Sequence, residues 1–148
     1  MKETTINDLI TAGIFYKDAE RNVPSEAQIK NMQDLIDNVL NPLVKQFKDL
    51  EIVSAYRHYS LNQLYNVYSA GAHNQGRAAA IWWIGENLDI EQSVYEMYRW
   101  IVDNLKFNTL DIYDTYIDIS YDSRYNYRLV RNFAKIHNQH IESRVVKD

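Results

Sequence analysis

One uninterrupted apolar run constrains the fold of this chain more than any other feature. Residues 78–84 read Ala-Ala-Ala-Ile-Trp-Trp-Ile without one charged side chain, and Gly85 follows them. A run of this length is too short to span a bilayer as a helix. A short apolar stretch that ends at glycine favours a strand buried inside a sheet, so we expect a central strand here. Neighbouring side chains of a strand point to opposite faces, which places Trp82 and Trp83 on different sides of that sheet.

Helix and strand patterns alternate along the rest of the chain. An apolar helical stripe at 25–47 contains Pro42, which predicts a kink or a break at the residues just before it. Asp89 and Gln92 form a capping-box pattern for a long helix that ends near Leu105. The other expected elements are a helix at 6–11, a loop at 16–22, a strand at 50–56, a helix at 60–68, a hairpin at 110–121 and a helix at 129–141. Helices clustered around a few strands predict an α+β domain with a small antiparallel sheet.

Composition narrows the classes of function. The chain has 148 residues, enough for one domain, with 16 basic and 20 acidic side chains and a net charge of −4. Well-mixed charges argue against nucleic acid as a partner, and the N-terminal residues lack the apolar stretch of a secretory signal. The chain has no cysteine, so any metal would need histidine and carboxylate ligands. Its 12 tyrosines and 3 tryptophans suit either a buried core or a protein interface.

Two polar motifs stand in register before the apolar run. The pattern Ser-x-Tyr-Arg-x-x-x-Leu-Asn begins at Ser54, and His-x-x-Gly-x-Ala begins at His73, eleven positions after Asn62. Together they resemble the M15 peptidases, which are zinc D-Ala-D-Ala carboxypeptidases and related peptidoglycan endopeptidases of bacteria and phages. Segments 40–43, 117–121 and 126–128 are similar to further parts of that family. The resemblance implies an M15-like, Hedgehog-type fold at 1–131, followed by a helical C-terminal extension at 132–148.

The resemblance also implies positions for a zinc site, and most of them hold a different residue here. The family's first ligand histidine matches His73, its ligand aspartate falls on Ala80 and its last ligand histidine falls on Asp118. Tyr113 stands where the family has its catalytic glutamate, and Arg57 lies beside the substrate cleft in the enzymes. A methyl group cannot bind a cation, and a catalytic zinc typically takes three protein ligands. The resemblance therefore implies cleft positions without a catalytic residue, and we expect no metal or other cofactor.

Alternative interpretations of these residues stay open. A shift of the alignment by one residue puts Asp114 at the general-base position, and Asp118 can bind zinc through oxygen, so that His73, Asp118 and Asp114 are candidates for a rebuilt zinc site. Asp111, Asp114 and Asp118 form an acidic cluster that is either a solvated strand edge or a weak site for a hard cation. We expect His73 to be hydrogen-bonded rather than ligating. For Arg57 we expect a structural ion pair with Asp118 or Asp111.

The expected function is that of a catalytically inactive M15-like protein retained as a structural or binding module. Because phages carry many members of this family, the resemblance implies a capsid or tail component that contacts other protein subunits. The expected location is the virion, or otherwise the cytoplasm, with no membrane partner. The alternatives are an active zinc peptidoglycan peptidase with a rebuilt site, and a cell-wall binder that holds peptide stems through Arg57 and the cleft without cutting them.

Overall fold

The computed structural model describes residues 3–67, 71–135 and 140–147 of the chain. Its α-helices are α1 (Ile6–Thr11), α2 (Glu26–Leu35), α3 (Asn41–Gln46) and α4 (Ile90–Asn104). Its strands are β1 (Glu51–Ser54), β2 (Ala78–Trp82), β3 (Thr109–Ile112), β4 (Ile117–Ser120), β5 (Leu129–Asn132) and β6 (Arg144–Val145). The architecture is α+β, as the sequence predicts. None of the helices in these described ranges is long and apolar enough to cross a membrane.

All six strands form one sheet in the order β1-β2-β4-β3-β5-β6. Every neighbouring pair is antiparallel except β3 and β5, which run parallel. The sheet is therefore mostly antiparallel, in agreement with the prediction. Strand β2 lies inside the sheet, with β1 on one side and β4 on the other. Its apolar side chains are mostly buried there, as the sequence predicts for a central strand. The predicted hairpin at 110–121 is present as β3 and β4.

The two faces of this sheet differ in character. One face packs on α2, α3 and α4 and supplies most of the buried core, through Ala79, Ile81, Leu110, Ile112, Ile117, Ile119 and Val130. On the other face, the strand register places five residues side by side across the sheet. This cross-sheet row consists of Ser54, Ala80, Asp118, Asp111 and Arg131. Polar groups thus collect on the face that the helices leave uncovered.

The chain stays helical from α2 through α3 despite Pro42. A π-helical segment, Ile36–Leu40, joins the two helices, and Asn41 still has a helical backbone with φ −62° and ψ −45°. A proline has no N–H to donate and its ring crowds the preceding turn, so the wider π turn before it relieves that conflict. The predicted irregularity is therefore located correctly, but it is a π segment and not a break.

Two local predictions in the first half of the chain are wrong. Residues 16–22 were expected as a loop, whereas Tyr16–Arg21 forms a 3-10 helix. The helix expected at 60–68 is limited to one 3-10 turn, Tyr59–Leu61, within the part that the structure describes, and 68–70 lie outside it. Asn66 takes a left-handed φ of 57° and the Val67 amide donates to the Asn62 carbonyl, a closing turn that stops helix growth.

The helix predicted at 129–141 is also wrong for the residues that are described. Strand β5 occupies its first part and pairs with β3 on one side and β6 on the other. Residues 132–135 and 140–147 contain no helix, which contradicts a helical extension there, and 136–139 lie outside the described residues. Pairing with a sheet outweighed a weak helical pattern, as tertiary contacts often do. The division of the chain after residue 131 stays a prediction.

Helix α4 begins with the capping box that the sequence predicts. The Asp89 carboxylate accepts from the Gln92 amide at 2.7 Å, and the Gln92 side chain accepts from the Asp89 amide at 3.0 Å. We expect Asp89→Ala to lower the free energy of unfolding by about 1 kcal/mol, because the Gln92 amide at the helix start loses its acceptor. Urea denaturation measures this. The matched control is Glu96→Ala on the exposed face of α4, and an equal loss in both variants would contradict the capping role.

Candidate functional site

His73 is held through both nitrogens of its ring. Nδ1 lies 2.7 Å from the Ala55 carbonyl oxygen, and Nε2 lies 2.9 and 3.0 Å from the two carboxylate oxygens of Asp118. A carbonyl oxygen only accepts, so Nδ1 carries a proton, and the carboxylate favours a second proton on Nε2. Burial lowers the pKa of His73, but the hydrogen bond and charge of Asp118 and the Ala55 carbonyl outweigh it, so that this pKa is raised. His73 and Asp118 therefore form a largely buried ion pair.

The cross-sheet row brings Asp118 next to two other residues of interest. Ala80 is its cross-strand partner on β2, and Asp111 is its partner on β3. Asp111 in turn accepts a two-pronged hydrogen bond from Arg131, with Nε at 2.7 Å and Nη2 at 2.8 Å. Burial and the neighbouring Asp118 raise the pKa of Asp111, against the opposing effect of Arg131. Each carboxylate of the row thus has its own cation.

Arg57 lies beside this pair but does not complete the expected ion pair. Its Nε donates to the Asn62 side chain at 3.1 Å, and no salt bridge joins it to Asp118 or Asp111 among the described residues. Burial lowers the pKa of Arg57 while the nearby charge of Asp118 raises it, so burial dominates. The ion pair predicted for Arg57 was wrong because Asp118 pairs with His73 and Asp111 pairs with Arg131. The sequence does not show these two pairs.

The motif residues of the sequence build one connected loop. The Asn74 side chain donates to the Arg57 carbonyl at 2.7 Å and to the Asn62 side chain at 2.8 Å. The Arg57 amide donates to the His73 carbonyl at 3.4 Å. Asn74 is buried, and a buried amide with these partners fixes the path of the chain on both sides of it. The motifs that stand in register in the sequence therefore meet in space.

Tyr113, predicted as a cleft position, belongs to an aromatic stack. Its ring lies 4.7 Å from that of Tyr116 and 5.4 Å from that of Phe133, with interplanar angles of 13° and 20°. Burial raises the pKa of both tyrosines, and the charges of Asp111 and Asp118 raise it further. The stack therefore stands against the acidic part of the cross-sheet row. Because its pKa is raised, the Tyr113 hydroxyl stays protonated at neutral pH and does not serve as a general base there.

The predicted acidic cluster is divided in the structure. Asp111 and Asp118 lie on β3 and β4, which are inner strands, so the interpretation as a strand edge is wrong. Asp114 lies in the turn between these strands and accepts from the Lys135 amide at 2.9 Å. Within the described ranges, no group of three or more histidine or acidic side chains is placed to hold a metal ion. His73 and Asp118 alone are too few donors for a catalytic zinc, and the methyl group of Ala80 adds none.

Sequence reasoning missed Arg131 and Phe133 as parts of this site. Both were placed on a predicted helix, whereas β5 brings them beside Asp111 and Tyr113. The sequence does contain a signal for a strand, because the apolar Val130 alternates with the charged Arg131. Four residues are too few to separate that alternation from a helical pattern.

Comparison with known proteins finds no matching family model, no matching curated protein and no matching solved structure. The fold and the site therefore define the class of this protein by themselves. It is an α+β protein in which the sheet face opposite α2, α3 and α4 carries a His73–Asp118 ion pair and an Asp111–Arg131 ion pair, with an aromatic stack beside them.

Proposed function

We propose that this protein is a catalytically inactive relative of the M15 peptidases, with their D-Ala-D-Ala carboxypeptidase-like fold, and that it acts as a binding or structural module. One observation carries this proposal. Nε2 of His73, the nitrogen that a metal would use, is 2.9 Å from the Asp118 carboxylate, and both groups are neutralised by each other. Ala80 stands directly beside them, where a further ligand would be needed.

The chemistry of this arrangement explains why binding replaces catalysis in the proposal. A metal-bound water ionises near neutral pH only in the field of a cation that its ligands hold firmly. Here an internal ion pair satisfies the two residues that match the metal-site positions, and Tyr113 replaces the acid–base group with a stacked ring. Fold and activity can separate in this way, because the site and not the scaffold carries the chemistry.

The finer part of the proposal concerns the partner. We place the protein among other protein subunits, as a capsid or tail component of a phage, with the virion as its location. The support is the resemblance to a family that is common in phages, together with a surface rich in aromatic side chains. Tyr16, Tyr59, Tyr127 and Phe133 are all exposed. Aromatic side chains of this kind are enriched where proteins contact each other.

A second candidate is a peptidoglycan binder that holds peptide stems without cutting them. Arg57 favours it, because only its Nε has a hydrogen-bond partner within the described ranges and its terminal nitrogens point to no described acceptor. A guanidinium can hold a carboxylate through two such nitrogens. Stem peptides end in a carboxylate, so this candidate makes Arg57 the main contact.

Three measurements on the full chain separate these functions. After loading with zinc and gel filtration, we expect elemental analysis to find far less than one zinc per chain, and incubation with muropeptides to yield no product. In co-sedimentation with purified peptidoglycan we expect no retention. Retention that Arg57→Gln abolishes would replace the assembly role with the wall-binding role. Stoichiometric zinc together with cleavage that a chelator stops would overturn the proposal.

A further inference from the structure

Five large apolar side chains are exposed on two neighbouring segments outside the sheet. We call them the loop patch: Phe15 (65% exposed), Tyr16 (97%), Val23 (62%), Tyr59 (69%) and Leu64 (59%). They come from segments 15–23 and 57–65. Single exposed apolar residues are ordinary, but a concentration of large ones on adjoining segments marks an interaction surface. Neither the cleft chemistry nor the core explains these side chains.

The two segments are tied together beneath the patch. The Phe15 and Tyr65 rings stack with centroids 5.7 Å apart, and the Tyr65 hydroxyl accepts from the Phe15 amide at 3.0 Å and donates to Asp18 at 2.8 Å. The Asn22 side chain accepts from the His58 amide at 2.7 Å. These bonds cross between the segments, so the exposed rings stand on a fixed base. A surface that is ordered before binding loses less conformational entropy when a partner arrives.

The charges around the patch are mainly positive, although the whole chain has a net charge of −4. Segments 15–23 and 57–65 carry the cations Lys17, Arg21 and Arg57, against one exposed acid, Glu20. The other acid, Asp18, is buried and bonded to the Tyr65 hydroxyl. A locally positive surface on an acidic protein selects a partner of opposite charge.

Of these three cations, Arg57 is the one whose side chain is not fully exposed. Its side chain is partly buried, and burial lowers its pKa against the nearby charges of Asp118 and of Tyr65, the residue that stacks on Phe15. Among the described residues its terminal nitrogens have no hydrogen-bond partner, since only Nε is bonded, to Asn62. A half-buried guanidinium gains from a carboxylate that reaches it in a site with little water.

We propose that the loop patch docks a segment of a partner protein in which aspartate or glutamate stands next to large apolar side chains. The partner carboxylate pairs with Arg57, and the neighbouring apolar side chains cover Tyr16, Tyr59 and Leu64. This inference rests on the binding-module part of the proposed function, and it does not depend on the zinc chemistry. Its failure is therefore distinguishable from a positive zinc or cleavage result.

The test selects short random peptides on the immobilised full chain and removes those that also bind the Tyr16→Ser/Leu64→Ser variant. We expect the surviving peptides to be enriched in Asp or Glu beside Leu, Phe or Trp. For a labelled synthetic copy of one of them, fluorescence anisotropy should show a Kd that rises at least about tenfold in Arg57→Gln, since a buried charge-assisted contact is lost. The same peptide with Asn and Gln in place of its acids should lose a similar factor.

Tyr127→Ser is the matched control, because Tyr127 is 63% exposed and lies outside the patch. Its Kd should equal that of the unmodified chain, and all variants should keep the same melting temperature because the replaced side chains are exposed or partly so. The proposal is overturned if no peptide depends on the patch, or if the selected peptides are not enriched in acids. A dimer in sedimentation that Tyr16→Ser/Leu64→Ser dissociates would also overturn it, since a second copy would then cover the patch.

Discussion

Replacing His73 with alanine will lower the free energy of unfolding by about 2–3 kcal/mol at mildly acidic pH. The change removes the cation of a largely buried ion pair and leaves the Asp118 carboxylate beside Asp111 without its hydrogen-bonded cation. Removing one partner of a buried pair typically costs about 3–5 kcal/mol, and the side-chain exposures of 17% and 26% reduce that figure here. The change also removes the bond from Nδ1 to the Ala55 carbonyl. Urea denaturation followed by tryptophan fluorescence measures this loss of unfolding free energy.

His58→Ala is the matched control for this variant. Among the described residues the His58 ring contacts its own turn, through the amide and hydroxyl of Ser60 and the ring of Tyr59, so its loss should cost less than about 1 kcal/mol. A double-mutant cycle adds a second check. If the pair is the source of the effect, His73→Ala combined with Asp118→Ala will be less destabilising than the sum of the two single changes. Simple additivity would contradict the ion pair.

The effect of His73 also has a defined dependence on pH. The pKa of His73 is raised in the folded chain, so the pair contributes fully below the ordinary histidine value of about 6.5. Its contribution is lost as the pH rises through the folded pKa. The difference in unfolding free energy between the unmodified chain and His73→Ala should therefore be larger at mildly acidic pH than at alkaline pH. A difference that grows with pH would contradict this sign.

Asp122, a buried carboxylate elsewhere in the chain, does not contribute to that pH dependence. The hydrogen bonds of Arg124 hold the pKa of Asp122 at about 2, against the effect of burial, and Arg77 lies 3.7 Å from the same carboxylate. A group with a lowered pKa contributes stability above its ordinary value and loses it as the pH falls through the folded value. The contribution of Asp122 is therefore constant across the range in which His73 titrates.

Local sequence signals predicted the elements whose stability is itself local. The capping box of Asp89 and the apolar periodicity after it define α4, and the apolar run before Gly85 defines β2. These signals act within one turn of helix or one strand, so they do not require knowledge of the rest of the fold. The hairpin of β3 and β4 belongs to the same group, since its two strands are neighbours in sequence.

The missed features depend on contacts between distant parts of the chain. Strand β5 exists because β3 accepts it as a parallel neighbour, and its Arg131 then reaches Asp111 across 20 positions of sequence. No local pattern of four residues contains that information. The 3-10 helix at Tyr16–Arg21 is similar, because the buried Asp18 within it is fixed by the hydroxyl of Tyr65 from another segment.

The candidate site was predictable in part from local motifs, and it depends in part on contacts between distant strands. The motifs named His73, Asp118 and Ala80 as members of one site, and the structure brings them together. What the sequence did not contain is the register of β2, β4 and β3. Register sets which side chains are direct neighbours, and a slip of one residue would move Asp118 to the core face. The pairing of each carboxylate with its own cation is therefore a result of the fold.

The same register predicts that a zinc site can be installed with two substitutions, Ala80→Asp and Asp118→His. The variant places a carboxylate and an imidazole on adjacent strands beside Nε2 of His73, which gives three ligands of the types that zinc prefers. Without metal it will be less stable than the unmodified chain, because Ala80 is 6% exposed and a larger, polar side chain must be buried there. Zinc at about 1,000 times its Kd should restore about 4 kcal/mol of stability.

Zinc-dependent melting and calorimetric titration measure this gain, and far-ultraviolet circular dichroism shows that the apo variant is folded. Ala78→Asp combined with Asp118→His is the matched control, because Ala78 is on the same sheet face but pairs with Ser120 instead of Asp118. It should bind zinc at least about tenfold more weakly, since its carboxylate cannot reach the same ion. The prediction is contradicted if the control or the unmodified chain gains as much stability from zinc as the test variant. Positions 80 and 118 would then not determine zinc binding. If only the test variant gains, the register of β2 and β4 places these two side chains within reach of one ion together with His73.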